Sequence, residues 1–152
     1  MRRHEKEIRN SKEISLILSG ASICRIAMVE GVHPYVVPVN FAFEDNELYF
    51  HSAKTGKKID ILKKNPHVCF EVDEPGGLVE NESACLWGMR YKSVIGFGRA
   101  YFLESGNEKK KALDILMKKY SGRDAFSYSD EALDKVFVIG ITIERMSGKR
   151  SG

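Results

Sequence analysis

The chain has 152 residues, 43% hydrophobic and 30% charged, a composition that suits one globular domain able to bury a core and excludes disordered and fibrous classes. No apolar run approaches the roughly 20 residues that span a bilayer. The start, Met1-Arg2-Arg3-His4-Glu5-Lys6, mixes charges with no apolar stretch behind it, so neither a signal peptide nor a membrane partner is expected and a cytoplasmic location is. A net charge of +3 is too small to indicate nucleic acid, and three cysteines (Cys24, Cys69, Cys85) without a C-x-x-C pair predict buried free thiols in a reducing compartment, not a disulfide framework or a structural metal.

In chain order, Asn10 followed by Glu13, Ile14, Ile17 and Leu18, with Gly20 as a stop, predicts a short helix. Ser22 to Glu30 reads as a strand, Gly31-Val32-His33-Pro34 as a connection, and Tyr35 to Phe43 as a second strand. Pro38 lacks the N–H that a central strand needs, so this second strand belongs at an edge or at a bulge. Glu44-Asp45-Asn46 is a turn into a third strand, Glu47 to Ser52. Thr55 offers a cap to a helix over residues 56–64, and Pro66 separates it from a fourth strand, Val68 to Asp73.

From Pro75 to Ser83 a polar loop is expected. It leads into Cys85-Leu86-Trp87-Gly88-Met89-Arg90-Tyr91, which gathers the single tryptophan, an arginine and a tyrosine. Ser93 to Leu103 is a strand interrupted by Gly96 and Gly98. No third glycine or helix follows, so the pair is not a dinucleotide fingerprint and instead allows a sharp bend or a close approach. Leu113, Leu116, Met117 and Tyr120 give the apolar stripe of a helix whose lysines face solvent. An irregular stretch from Ser121 to Lys135 and a last strand, Val136 to Arg145, complete the chain. The pattern is mainly β: a single domain over residues 1–152, folded as a six-stranded antiparallel barrel with peripheral helices.

Chemistry concentrates around Leu48 to Leu62, where a strand ends at His51-Ser52-Ala53 and a helix opens with Gly56, Lys57 and Lys58. Free N–H groups at a helix start, its dipole and nearby ammonium groups together make an anion site. Neither a nucleophilic triad nor an H-E-x-x-H motif occurs, and no metal site is expected. Glu71 and Asp73 share a strand face, but beside a turn they are expected to be solvated, not to act as an acid/base pair. Val37 to Asn40, His51 to Lys58 and Arg90 to Val94 together would suit a flat phosphorylated ligand.

The order of motifs resembles the FMN-binding split-barrel superfamily, and within it the pyridoxamine-phosphate-oxidase-like branch that includes the nitroimidazole-resistance proteins. The likeness is carried by Cys24-Arg25-Ile26-Ala27, Pro34 to Phe41, Leu48 to Ala53, Gly56 to Asp60, Asn65 to Phe70 and Met89 to Gly98. It implies a homodimer with FMN at the subunit interface. By that likeness Val37, Pro38, Val39 and Asn40 would meet the isoalloxazine edge, and His51, Ser52 and Ala53 would lie along the ribityl chain. Lys58, with Lys57 as second choice, would pair with the phosphate. Tyr91, Ser93 and Val94 would approach the ring or come from the partner chain, and Arg90 would supply positive charge near it, or a surface ion pair. His51 would donate a proton to a substrate, or simply hydrogen-bond at the strand end. Family members that oxidise pyridoxamine phosphate add a carboxy-terminal Trp and Arg segment where this chain has Ser147 to Gly152, so vitamin B6 oxidation is not expected. The implied function is an FMN-dependent oxidoreductase of nitroreductase type acting on small nitroaromatic compounds. The alternatives are a non-catalytic flavin- or haem-binding module with an axial ligand among His33, His51 and His67, and, behind both, a basic RNA-associated protein.

Overall fold

The computed structural model describes residues 3–124 and 126–152. Eight antiparallel strands form one sheet: β1 (Glu7–Ile8), β2 (Cys24–Glu30), β3 (His33–Val39), β4 (Ala42–Glu44), β5 (Glu47–Ala53), β6 (His67–Val79), β7 (Gly88–Phe102) and β8 (Val136–Ser151). Four α-helices flank it: α1 (Ser11–Gly20), α2 (Lys57–Lys64), α3 (Gly106–Ser121) and α4 (Asp130–Asp134). The sheet runs in the order β3-β2-β6-β7-β8-β5-β4, with β1 added to β8. Its two ends, β3 and β4, are consecutive in the chain, so the sheet curls back on itself as a barrel with one seam left unpaired.

Each element follows from local chemistry. The Asn10 side chain accepts from the N–H groups of Lys12 and Glu13 and starts α1. Asp45 and Asn46 both take positive φ, the conformation that a two-residue hairpin between β4 and β5 requires. Ser105 and Glu108 form a reciprocal capping box on α3. Period-two burial along β2 and β5 sends Ile26, Met28, Leu48 and Phe50 inward, where Phe41, Phe70, Ile139 and Ile141 join them at 1% exposure or less. Each such side chain stabilises the fold by about 1.5–3 kcal/mol. Gly96 exists because the Phe70 ring occupies the space a Cβ would need, and at Gly98 the β7–β8 register shifts while the Thr142 carbonyl closes in.

The fold class is the expected split barrel, but it has eight strands, not six. The expected strand Tyr35 to Phe43 is two strands interrupted at Asn40-Phe41, and β1 is too short to carry a periodic signal. Residues 75–79, expected as loop, continue β6 across a register shift between Pro75 and Gly77, where Gly77 has φ of 95°. β8 runs six residues beyond Arg145, and the stretch expected to be irregular contains α4, capped by Ser129. Glu71 and Asp73 share a face as expected, but they lie within β6 and not at its turn. Both accept from Arg25, at 2.9 Å for Glu71. The cysteines are free thiols, yet only Cys24 is buried; Cys69 is half-buried and Cys85 is exposed.

Candidate functional site at the seam

The seam arises where β4 and β5 stop pairing. Their register sets Ala42 against Tyr49 and Phe43 against Leu48. Carried further, it would set Asn40 opposite His51 and Pro38 opposite Ala53, but the ladder ends at Ala42. The tyrosine near the end of α3 takes over there: the Phe41 N–H donates to the Tyr120 hydroxyl at 2.9 Å. That hydroxyl in turn lies within donating distance of the carbonyls of Ser22, at 2.8 Å, and Phe41, at 3.1 Å. Backbone groups that would otherwise extend the ladder are thereby satisfied, and the sheet can open without a buried orphan. Pro38 sits on the edge strand β3, paired only with β2, which is the placement its missing N–H demands. Val37 is half-buried, Val39 is buried, and Pro38 and Asn40 are exposed along the seam.

The opposite wall is β5 and the start of α2. His51 and Ala53 are exposed and Ser52 is half-buried, their backbones paired to Val138, Val136 and Phe137 of β8. Thr55 does not cap α2 as expected. The N-cap is Gly56 at φ 121°, with no side-chain cap, and its carbonyl accepts from Ile59 and Asp60. The first-turn N–H groups of Lys57 and Lys58 are left without an intrahelical acceptor.

The two lysines at this point differ. Lys57 pairs with Glu30 at 3.3 Å and lies 5.2 Å from the Tyr35 ring centroid, which ties α2 to the β2–β3 side of the seam. Lys58 is half-buried, 5.5 Å from the Phe50 ring centroid, and has no ion-pair partner among the described residues. Burial holds its amine below the ordinary lysine pKa. A cation in this state gains from an incoming anion.

The third group lies apart. Tyr91 is half-buried with the Lys149 ammonium 5.5 Å from its ring centroid, while Ser93 and Val94 are buried within β7, the latter at 0% exposure. Arg90 is exposed on a cleft of about 320 Å³ that it shares with Glu74, Lys92 and Arg150. On β8, His51 pairs with Val138 and Ser93 with Lys149, eleven residues on. That is about 36 Å of strand. Within one chain, therefore, the recorded link across the seam is Lys57 of α2 with Glu30 and Tyr35, and Arg90 to Val94 lie on a distant part of β7.

Two residues that support the seam carried only a weak signal in the sequence. Tyr120 reads there as part of an apolar helix stripe, and Lys119 as a solvated lysine. Lys119 donates to the Leu18 carbonyl at 3.1 Å and stands 3.5 Å from the Phe41 ring centroid, and burial pushes its amine down to about 8. Their contacts with Phe41, Leu18 and Ser22, all far away in the chain, distinguish them from their neighbours on α3.

Residues 10–150 match the protein family described as pyridoxamine 5'-phosphate oxidase. An uncharacterized protein of Rhizobium meliloti, RA0666, is 30% identical over 116 residues, which cover 74% of this chain and 70% of that protein. A candidate 5-nitroimidazole antibiotic resistance protein from Bacteroides thetaiotaomicron is similar in structure, with a TM-score of 0.85 and 36% identity over 95% of this chain and 86% of that one. An FAD-binding protein from Mesorhizobium loti has a TM-score of 0.71 and 27% identity over 94% and 96% of the two chains. The match to nearly the whole sequence, together with an opened barrel of the same kind, places this chain in the pyridoxamine 5'-phosphate oxidase family.

Proposed function

We propose that the seam between β3 and β5 binds FMN, with the phosphate at Lys58 and the uncapped start of α2, and that the protein is a flavin-dependent oxidoreductase acting on small nitroaromatic compounds. The observation that carries the reading is Lys58: a half-buried ammonium with no carboxylate partner among the described residues, beside unpaired N–H groups. A phosphate monoester carries about −1.5 to −2 charge at pH 7 and three acceptor oxygens, which is the complement of that donor set. The exposed edge at Pro38 and Asn40 supplies unpaired backbone groups to the polar rim of a ring, and Val37 supplies apolar wall. Bound flavin would supply electron transfer. The chain itself would orient the ring along β3, hold the phosphate at Lys58, and offer the exposed His51 imidazole as a proton donor to a substrate.

A homodimer belongs to the same proposal. Val29, Val36, Ile95 and Phe97 share the outer face of the sheet and are 40–55% exposed, an apolar patch that a second copy would cover. Such a copy would also bring its own Tyr91 region toward a seam that lacks one. The flavin-binding and nitroimidazole-resistance relatives support the cofactor class and the substrate class respectively.

Absorbance of the purified protein after addition of FMN, FAD or haem tests the ligand, and chromatography of the released cofactor separates FMN from FAD. Twin flavin bands with saturable FMN binding are expected. A Soret band with no affinity for flavin, or a protein that ignores all three, overturns the reading. Oxidation of a reduced nicotinamide coupled to loss of a nitro compound tests the reaction, and a flavin-loaded protein without such turnover would be a carrier.

A further inference from the structure

Tyr49, Gly140 and Tyr101 lie side by side across β5, β8 and β7, because Gly140 pairs with Tyr49 on one side and with Tyr101 on the other. The Tyr101 ring occupies the space that a Cβ on Gly140 would need, so it lies flat on the sheet and reaches toward β5. Its hydroxyl donates to Glu47 at 2.9 Å, and the Thr142 hydroxyl donates to the other oxygen of the same carboxylate, also at 2.9 Å. α3 passes over this row without closing on it. Between helix and sheet a cleft of about 180 Å³ remains, floored by the two tyrosines, walled by Leu103 and Ile115 and flanked by Glu108 and Lys111. Tyr101 keeps 38% of its surface exposed there.

Charge indicates what the cleft accepts. The Tyr49 phenol is pushed above its ordinary pKa by burial and then by the carboxylates of Glu47, Glu44 and Asp45, and burial and Glu47 act on Tyr101 in the same direction. Glu108 has a free side: its Oε2 accepts from the Ser105 N–H and hydroxyl, while its Oε1 has no partner among the described residues. None of these four carboxylates forms an ion pair among the described residues, although the chain as a whole carries a net charge of +3. Lys111, the one cation on the cleft, is exposed and pairs with none of them. Covering a strand glycine explains the Tyr101 ring by itself, but not the unpaired carboxylates around it. They leave a negative field, and the aromatic faces beneath attract cations through their quadrupoles. Clefts for drug-sized ligands begin at about 300 Å³, so this one takes a ligand of a few heavy atoms.

We infer that this cleft binds a small organic ammonium ion, with the cationic head over the Tyr49 and Tyr101 rings, Glu47 and Glu108 as counter-charges and the alkyl part against Leu103 and Ile115. Two kinds of cation share that chemistry. A methylated ammonium head is held by ring faces, and a primary amine by charge-assisted hydrogen bonds to carboxylates. Lys111 opposes both. The seam offers cations to an anion and this cleft offers carboxylates to a cation, so the inference does not depend on the flavin reading.

Isothermal titration calorimetry on the full chain, at one low sodium chloride concentration, tests the site with tetramethylammonium and with butylammonium, and sodium benzoate serves as the anionic control. Saturable binding of at least one ammonium probe at a single site per chain is expected, with none for benzoate. The double change Glu47→Gln/Glu108→Gln keeps the side-chain shapes and leaves amide oxygens that can still accept from Tyr101, Thr142 and Ser105. It should weaken ammonium binding by roughly tenfold, the difference between a charged and a neutral acceptor. Lys111→Met removes the opposing charge and should tighten binding several-fold, a gain that a misfolded cleft cannot give. Preference for tetramethylammonium identifies a methylated head and preference for butylammonium a primary amine; either order supports the site. Three results overturn it: no saturable ammonium binding in both wild type and Lys111→Met, equal affinity in wild type and the double glutamine variant, or benzoate binding that Lys111→Met abolishes.

Discussion

Replacing Lys58 by methionine keeps the unbranched stem and deletes one ammonium. In the folded chain that ammonium is half-buried, lies over Phe50 and has no carboxylate to leave unpaired among the described residues. Desolvation already disfavours its charged form, so urea unfolding is expected to show no loss of stability and to leave the denaturant slope unchanged. Ligand binding should respond very differently. A hydrogen bond to a charged group contributes about 1.5–3 kcal/mol. With each 1.4 kcal/mol equal to a factor of ten, FMN affinity should fall roughly 10- to 100-fold, toward the lower figure because solvent reaches half of the side chain. Riboflavin, which has the same ring and ribityl chain without the phosphate, should bind wild type and variant alike. Titration of both flavins by fluorescence quenching reads this difference directly. Unchanged FMN affinity would move the phosphate away from α2, and an equal loss for riboflavin would show that the substitution disturbed the seam and not a phosphate contact.

Tyr120→Phe removes the hydroxyl that serves the Phe41 N–H and the Ser22 carbonyl; it should cost about 1–3 kcal/mol in urea unfolding and weaken flavin binding, and a cost below experimental error would show that solvent replaces the clamp. Gly96→Ala would press a methyl group into the Phe70 ring at the centre of the core, with an expected loss of about 1–3 kcal/mol or more in the same assay; near-wild-type stability would mean that β7 yields there. His51→Ala should lower flavin-dependent turnover more than flavin affinity, and equal loss of both would remove the proton-donor role. Lys119 gives a pH signature. Its amine is held near 8 in the folded chain against 10.5 in the unfolded one, so between those values the unfolded chain binds the extra proton and stability from this group rises with pH. The wild-type melting temperature should climb relative to Lys119→Met over that window, and parallel profiles would place the amine in solvent.

The strands with strong period-two patterns and hairpin signals, β2, β5 and the body of β7, were legible because the signal and the burial are the same fact: alternate residues such as Ile26, Met28, Leu48 and Phe50 enter one core. Asn10 and the Asp45-Asn46 turn were legible for a similar reason, since their side chains or conformations act on the adjacent backbone. The far end of the β6–β7 hairpin was not. Between Pro75 and Gly88 glycine, proline and glutamate lower strand propensity, and the hairpin is held by its cross-strand ladder, not by local preference. Thr55 had the chemistry of a cap, but the turn at Gly56 prevents it from capping α2.

For the candidate site, residue types and order were enough to mark Pro38 as an edge residue, because a missing N–H is a local property, whereas the uncapped start of α2 was not legible because Thr55 reads as a cap. Which lysine remains unpaired depends on Glu30, twenty-seven residues before Lys57, and only the curling of β2–β3 against α2 brings that carboxylate to Lys57 and not to Lys58. The opening of the barrel likewise depends on Tyr120, seventy-nine residues after Phe41, whose hydroxyl satisfies the backbone where β4 and β5 part. The separation of Arg90 to Val94 from the seam follows from β8, whose length sets the distance between partners of β5 and β7. The sequence by itself therefore determined the barrel class and the edge position of β3, through periodicity, capping residues and a proline. Tertiary structure decided where the barrel opens and which of Lys57 and Lys58 is paired, because each of these depends on contacts between residues far apart in the chain.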